Sequence, residues 1–95
     1  MAFVIRYSEE KNELLRATRG ICFDDILDQI EKGELLDDKQ HPSKDKNHQR
    51  VYVVKVGNYA FVVPYIINPE KKEIFLKTVY ASRKYTKQYI KKGDL

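Results

Sequence analysis

Apolar residues recur at helical spacing early in the chain and at alternate positions later on. Ser8 precedes Glu9 and Glu10, which gives an N-cap followed by acids in the first turn, and KNELLRATR then runs to Gly20, a residue suited to ending a helix. Phe23, Ile26, Leu27 and Ile30 fall at i, i+3, i+4 and i+7, so residues 23–32 predict a second amphipathic helix stopped by Gly33. Its other side carries Asp24, Asp25, Asp28 and Glu31, an acidic face suited to solvent. GELLDD reads as extended, and residues 37–49 (DDKQHPSKDKNHQ) show neither period, which predicts a long polar loop.

The pattern then turns to period two. RVYVVKV and YAFVVPYII flank Gly57-Asn58, a two-residue hairpin signal that pairs Val56 with Tyr59. That register puts Tyr52, Val54, Phe61, Val63 and Tyr65 on one face. Val51, Val53, Lys55, Ala60, Val62 and Pro64 fall on the other. Asn68-Pro69 opens a turn, and EIFLKTVYA follows as a third strand. A four-residue loop at 69–72 would place Leu76 and Tyr80 on the first face, with Phe75, Lys77 and Val79 on the second. Pro64 lacks a ladder donor, so a bulge or strand end is expected near it.

Ser82 caps a last helix over 83–92, ended by Gly93, with Arg83, Lys87 and Lys91 on one stripe and Tyr85 and Tyr89 on another. The tyrosines suit docking onto the sheet, or base stacking. The order is α-α-(β)-β-β-β-α. It predicts a single α+β domain in which two N-terminal helices cover the bulkier, uncharged face of a small antiparallel meander of three to four strands. The short C-terminal helix would pack at the sheet's edge or over the second face.

Charge sharpens this outline. The chain has 95 residues and a net charge of +4, but residues 1–38 carry about −5 and residues 39–95 about +9. One end therefore suits a polyanion and the other repels it. No apolar run approaches the roughly 20 residues of a membrane span. Arg6 and the Glu9/Glu10 pair interrupt any signal-peptide core, and the lone Cys22 fits a reducing compartment, so a cytoplasmic location away from membranes is expected.

Three short motifs keep a definite order: Lys11-Asn12 near the start of the first helix, Gly20-Ile21-Cys22-Phe23-Asp24-Asp25 at the entry to the second, and Ala81-Ser82-Arg83-Lys84 after the last strand. In this order the chain resembles the BrnT branch of the RelE-like toxins. The resemblance implies metal-independent RNA cleavage by the toxin half of a type II toxin–antitoxin pair. Its partners would be RNA and a cognate antitoxin protein, with a higher-order toxin–antitoxin complex in prospect and no cofactor. The chain departs from the family pattern at Lys77, which stands in place of an arginine and is offset by one residue, and in the 39–49 loop, which is longer and more basic.

Cleavage of this kind needs the ribose 2′-OH activated, charge on the phosphorane stabilised and the departing 5′-oxygen protonated. Arg83, at a strand-to-helix junction, is the first candidate for charge stabilisation, with Lys77 and Lys55 completing a cationic cleft. His48 is the leading acid–base candidate, beside His41 and a tyrosine or lysine with a depressed pKa. Arg50, Tyr80, Lys84, Tyr85 and Lys87 would contact the RNA. His41 and His48 with a distant cysteine do not make a zinc pattern, and Walker A, GxGxxG and serine-elbow motifs do not occur. Two other readings use the same residues: a nucleic-acid-binding module without turnover, and an interaction protein acting through its acidic 24–38 segment. The enzyme reading requires Lys55, Lys77 and Arg83 to meet at one hollow beside the sheet.

Overall fold

A computed structural model describes residues 3–46 and 48–90. The elements are β1 (Val4–Arg6), α1 (Glu9–Arg19), α2 (Phe23–Glu31), β2 (Leu35–Gln40), a 3-10 turn (Lys44–Lys46), β3 (Arg50–Val56), β4 (Tyr59–Asn68), β5 (Glu73–Leu76), β6 (Tyr80–Ala81) and α3 (Arg83–Tyr89). The α+β class, the two helices on one sheet face and the C-terminal helix are as expected. The sheet is larger and mixed. Its order is β1-β5-β4-β3-β2, with β6 also pairing β4, and β1 lies parallel to β5.

Local chemistry accounts for most of the boundaries. Ser8 Oγ accepts the Lys11 N–H at the start of α1, and Gly20 ends that helix at φ 69°. The Cys22 N–H donates to Asp25 Oδ2 at 3.0 Å, an N-terminal bond that fixes the entry to α2. Gly57 takes φ 64° while Asn58 stays at negative φ, so Val56 pairs with Tyr59 through a turn with glycine in the first central position.

The two faces carry separate cores. Leu15, Phe23 and Ile26 from the helices bury Val54, Val63, Tyr65 and Leu76. Across the sheet, Val51, Val53, Ala60 and Val62 lie beneath Tyr85 of α3, flanked by Leu36, Tyr89 and Ile90. The last helix therefore covers the second face. Lys91 and Gly93, assigned above to its basic stripe and its stop, lie outside the described residues.

Three strand expectations are corrected. Residues 35–40, read as an extended stretch running into a polar loop, form an edge strand antiparallel to β3, so the loop begins at His41. Alternation is hidden there because Asp37, Asp38 and Lys39 put charge on both faces, a composition common at exposed edges. β1 is three residues long and finds its partner near position 74, so nothing local marks it.

The third correction concerns the last strand, which is broken. Leu76 pairs with Tyr65 and Tyr80 with Val62, four steps along one strand against three along the other. One extra residue reverses the faces beyond it. Val79 joins the helix-side core, and Tyr80 turns to the second face with Val62.

Pro64 lies beside this break. Its carbonyl accepts the Lys77 N–H at 2.8 Å, so the edge of Pro64 that lacks a donor faces the gap between β5 and β6. β4 itself runs through Pro64 unbroken, paired with Val51. The strand end expected near the proline is its neighbour's. Arg19 Nη1 donates to the Val79 carbonyl and ties the displaced residues to α1.

Candidate nucleic-acid interface

The break places Lys77, Thr78 and Tyr80 beside Pro64 on one wall of a hollow of about 460 Å³. The 41–49 loop supplies the opposite wall with His41, Ser43, Lys46 and Gln49. The loop is folded back on itself: the His41 N–H donates to the Gln49 carbonyl, and the Gln49 N–H to the Lys46 carbonyl. Among the described residues no carboxylate lines the hollow.

His41 is held in a defined state there. The Ser43 N–H donates to its Nδ1 at 3.1 Å, so the neutral ring carries its proton on Nε2. Burial, then the nearby Lys46 and His48, hold its pKa below the usual histidine range. A neutral His41 is a hydrogen-bond donor through Nε2. Accepting a proton would cost the Ser43 bond, which suits it poorly to the role of general base.

Tyr80 stands apart from the other tyrosines. Tyr7, Tyr65 and Tyr89 donate to Asp24, Asp38 and Asp37, Tyr52 stacks on Tyr65, Tyr59 meets Phe61, and Tyr85 lies between Lys39 and Lys84. Tyr80 alone has no side-chain hydrogen bond or ring contact among the described residues, and it is 36% exposed. Partial burial, then the neighbouring Tyr85, raises its phenol pKa, so its hydroxyl remains a donor.

The remaining sequence candidates separate. Lys55 and Arg83 do not line the hollow. Lys55 is opposite Ala60, whose carbonyl and N–H are taken by Ser82 and Thr86, so Lys55 lies at the end of the face where α3 begins. Lys77 is bonded to Pro64, four residues further along β4, roughly 13 Å at strand rise. Tyr85 covers Val62 between them. The expected convergence of Lys55, Lys77 and Arg83 on one hollow is therefore corrected: the helix fills the middle of that face.

Two RNA-contact candidates have other employment. Arg50 Nε and Nη2 donate to Asp38 at 3.2 and 2.9 Å, and Nε also reaches the Tyr65 hydroxyl at 3.1 Å, all on the helix-side face. Tyr85 is 5% exposed, so its ring packs the second core and is not free to stack on a base. Lys84 and Lys87 are exposed on α3, and His48 is exposed outside the hollow.

The segregation of charge is clear in three dimensions. The five ion pairs among the described residues use Arg6, Arg16, Lys32 and Arg50. Lys39, Lys46, Lys55, Lys77, Arg83, Lys84 and Lys87 have no ion-pair partner among the described residues. Lys39 extends over the Tyr85 ring, with Nζ 5.1 Å from its centroid, and Lys77 extends over Phe75 at 5.7 Å. Among the described residues no three metal-ligating side chains gather, and no helix is long and apolar enough to cross a membrane.

Lys46, Ser43, Gln49 and Lys39 were not singled out from the sequence as site residues. The only signal for the first three was the unusual length of their loop. Lys39 lay in a stretch read as part of it.

Compared with known proteins, the chain matches no family model, no curated protein and no solved structure. The likeness to BrnT-type toxins rests on its short motifs. Two of them have structural work here. Asn12 Oδ1 accepts the Phe23 N–H at 2.8 Å and its Nδ2 donates to Asp24, so Lys11-Asn12 and the Gly20–Asp25 segment form one joint between α1 and α2.

Proposed function

We propose that the protein binds RNA through the face covered by α3, with the helix side turned away. What carries this reading is a group of cations without ion-pair partners among the described residues, Lys39, Lys46, Lys55, Lys77, Arg83, Lys84 and Lys87, on the side of the sheet opposite the carboxylates of α1 and α2. Unpaired Lys and Arg on one surface are the electrostatic footprint of a phosphate backbone. Single-stranded RNA suits it better than duplex, because an open aromatic ring adjoins the cations.

In a salt titration with labelled single-stranded RNA, the combined substitution Lys39→Gln, Lys84→Gln and Lys87→Gln is expected to lower the slope of log affinity against log salt by about 2. Lys11→Gln with Lys32→Gln, on the helix side, should leave it unchanged. Absence of binding at low salt defeats the reading and leaves the acidic-segment interaction protein as the alternative.

The hollow favours a second, stronger reading, in which the protein also cuts the RNA as the toxin of a toxin–antitoxin pair. The 2′-oxygen would attack phosphorus and displace the 5′-oxygen, with solvent water taking the 2′-OH proton and returning one to the 5′-oxygen. Lys77 would stabilise charge on the phosphorane, and Tyr80 or the Nε2–H of His41 would hydrogen-bond the leaving oxygen. Arg83 and Lys55 would then hold the flanking strand. An antitoxin fitted to this surface would present carboxylates to it. Cleavage in EDTA that disappears in Lys77→Ala, with the fold retained, supports this reading. Binding without cleavage leaves only the first.

A further inference from the structure

We propose that the hollow between the 41–49 loop and the β5–β6 break is a binding site for one nucleoside monophosphate unit, with its ring against Tyr80 and its phosphate between Lys46 and Lys77. The biological ligand, a single residue of a strand, rests on the RNA-binding reading. The site itself is also open to a free mononucleotide, which has the same chemistry.

The walls select for this ligand in three ways. Lys46 comes from the loop and Lys77 from the strand break, and among the described residues no acid lines the space, so an anion is favoured over a neutral molecule. Tyr80 is exposed and unpartnered where every other tyrosine is engaged, and Pro64 lies beside it. A planar ring is the partner that such a platform lacks. The remaining polar groups are Ser43, Thr78, Gln49 and neutral His41, hydrogen-bonding side chains that could meet base edges or ribose hydroxyls. At about 460 Å³ the hollow falls within the range of roughly 300–1,000 Å³ for small-ligand pockets.

An acidic peptide would use the same lysines but would leave Tyr80 without a partner. A bare phosphate would leave most of the volume unused. The break in the strand is what assembles the site. Had the ladder kept its register from Leu76 through all four steps, Tyr80 would lie opposite Phe61 and face the helices.

The test is titration of the whole protein with each of the four ribonucleoside monophosphates, followed by amide resonances. Inorganic phosphate and the unphosphorylated nucleosides serve as separate probes. The expected result is saturable shifts at Ser43, Lys46, Gln49, Thr78 and Tyr80, with both control probes binding at least about tenfold more weakly. Tyr80→Ala should weaken mononucleotide binding by about tenfold while Tyr80→Phe retains it, and thermal unfolding of both variants checks the fold.

Equal binding of phosphate and nucleotide overturns the proposal, as do shifts that map to α3 or no saturable shift at all. The outcomes separate from the RNA reading. Lys84→Gln with Lys87→Gln should weaken RNA and leave mononucleotide binding unchanged. RNA binding without mononucleotide binding sinks this inference alone, and mononucleotide binding without RNA binding sinks only the RNA reading.

Discussion

On the helix side of the sheet, Asp24 accepts from Tyr7 at 2.6 Å, from Asn12 at 3.1 Å and from Arg16 at 3.3 Å, while Glu13 takes the other arm of Arg16. These bonds hold the Asp24 carboxyl below the usual range and raise the Tyr7 phenol to about 12. On the opposite side, Lys46, Lys77 and Tyr80 surround a hollow with none of their side-chain polar atoms hydrogen-bonded or ion-paired to the described residues. The same kinds of residue thus do different work. Where acid, amide and arginine lie together, they close into a joint between two helices. Where cations are left without acids, the surface remains available to a ligand. A charge count over the whole chain cannot make that distinction, since Arg16 and Lys77 contribute equally to it.

The largest expected effect comes from opening the closed side. Asn12 is 1% exposed and holds the first amide of α2. Asn12→Ala leaves the Phe23 N–H buried without an acceptor and should cost about 2–3 kcal/mol. For a domain of this size that lowers Tm by about 10–20 °C. Tyr80→Phe, on the open side, should unfold within a degree or two of the parent. If the two variants melt alike, the contrast between a structural side and an open side does not hold.

A smaller effect is expected at the boundary between the two. Tyr89 donates to Asp37, fastening α3 to the edge strand β2. Its phenol is raised to about 12 by that bond, and Asp37 is lowered by the same contact. Tyr89→Phe should cost about 1 kcal/mol near neutral pH. The pH dependence follows from the two directions. Asp37 binds its proton less readily folded than unfolded, so its contribution is present above its ordinary value of 3.8 and lost as pH falls through the lowered folded value. Tyr89 keeps its proton longer when folded, so its contribution is lost as pH rises between 10.0 and about 12. Denaturation of both proteins across this range should show their stabilities converging at each extreme. A constant difference would mean that the hydroxyl contributes by packing alone.

The same contrast explains what could be read from the sequence. Both helices, their Ser8 and Gly20 ends and the β3–β4 register were legible, because caps, 3.6-residue spacing and Gly57-Asn58 are local signals. The assignment of Tyr52, Val54, Val63 and Tyr65 to the helix-covered face followed from that register. β1 was not legible, since its three residues depend on a partner about seventy positions away. The side on which Tyr80 falls was hidden for a related reason. Strict alternation from Leu76 places it with the helices, and only the pairing of Tyr80 with Val62 shows the extra residue. At the candidate site, residue type alone points to Lys77 and Tyr80, and only the fold brings their neighbours to them. Lys46, Ser43 and Gln49 emerge only when the loop folds back to bond His41 to Gln49. Arg50 and Tyr85 looked like RNA contacts because nothing local announces Asp38 beside the one or a hydrophobic face beneath the other.

The smallest effect, and the one that most sharpens the comparison, concerns His41, the histidine that lines the hollow. Its pKa is lowered on folding, so it binds its proton more readily in the unfolded chain. Stability is therefore fully present above its ordinary value of 6.5 and declines as pH falls through the lowered folded value. Burial, then the nearby Lys46 and His48, cause that lowering, and protonation would also break the Ser43 N–H bond to Nδ1, which an imidazolium cannot accept. Protection factors for the Ser43 and Gln49 amides should fall as pH is lowered from neutrality to about 5, while those of the β3–β4 core hold. In His41→Asn the pH dependence at these two amides should flatten. A wild-type profile already flat over that range would mean that Ser43 does not hold the ring, and the loop wall of the hollow would then need another origin for its shape.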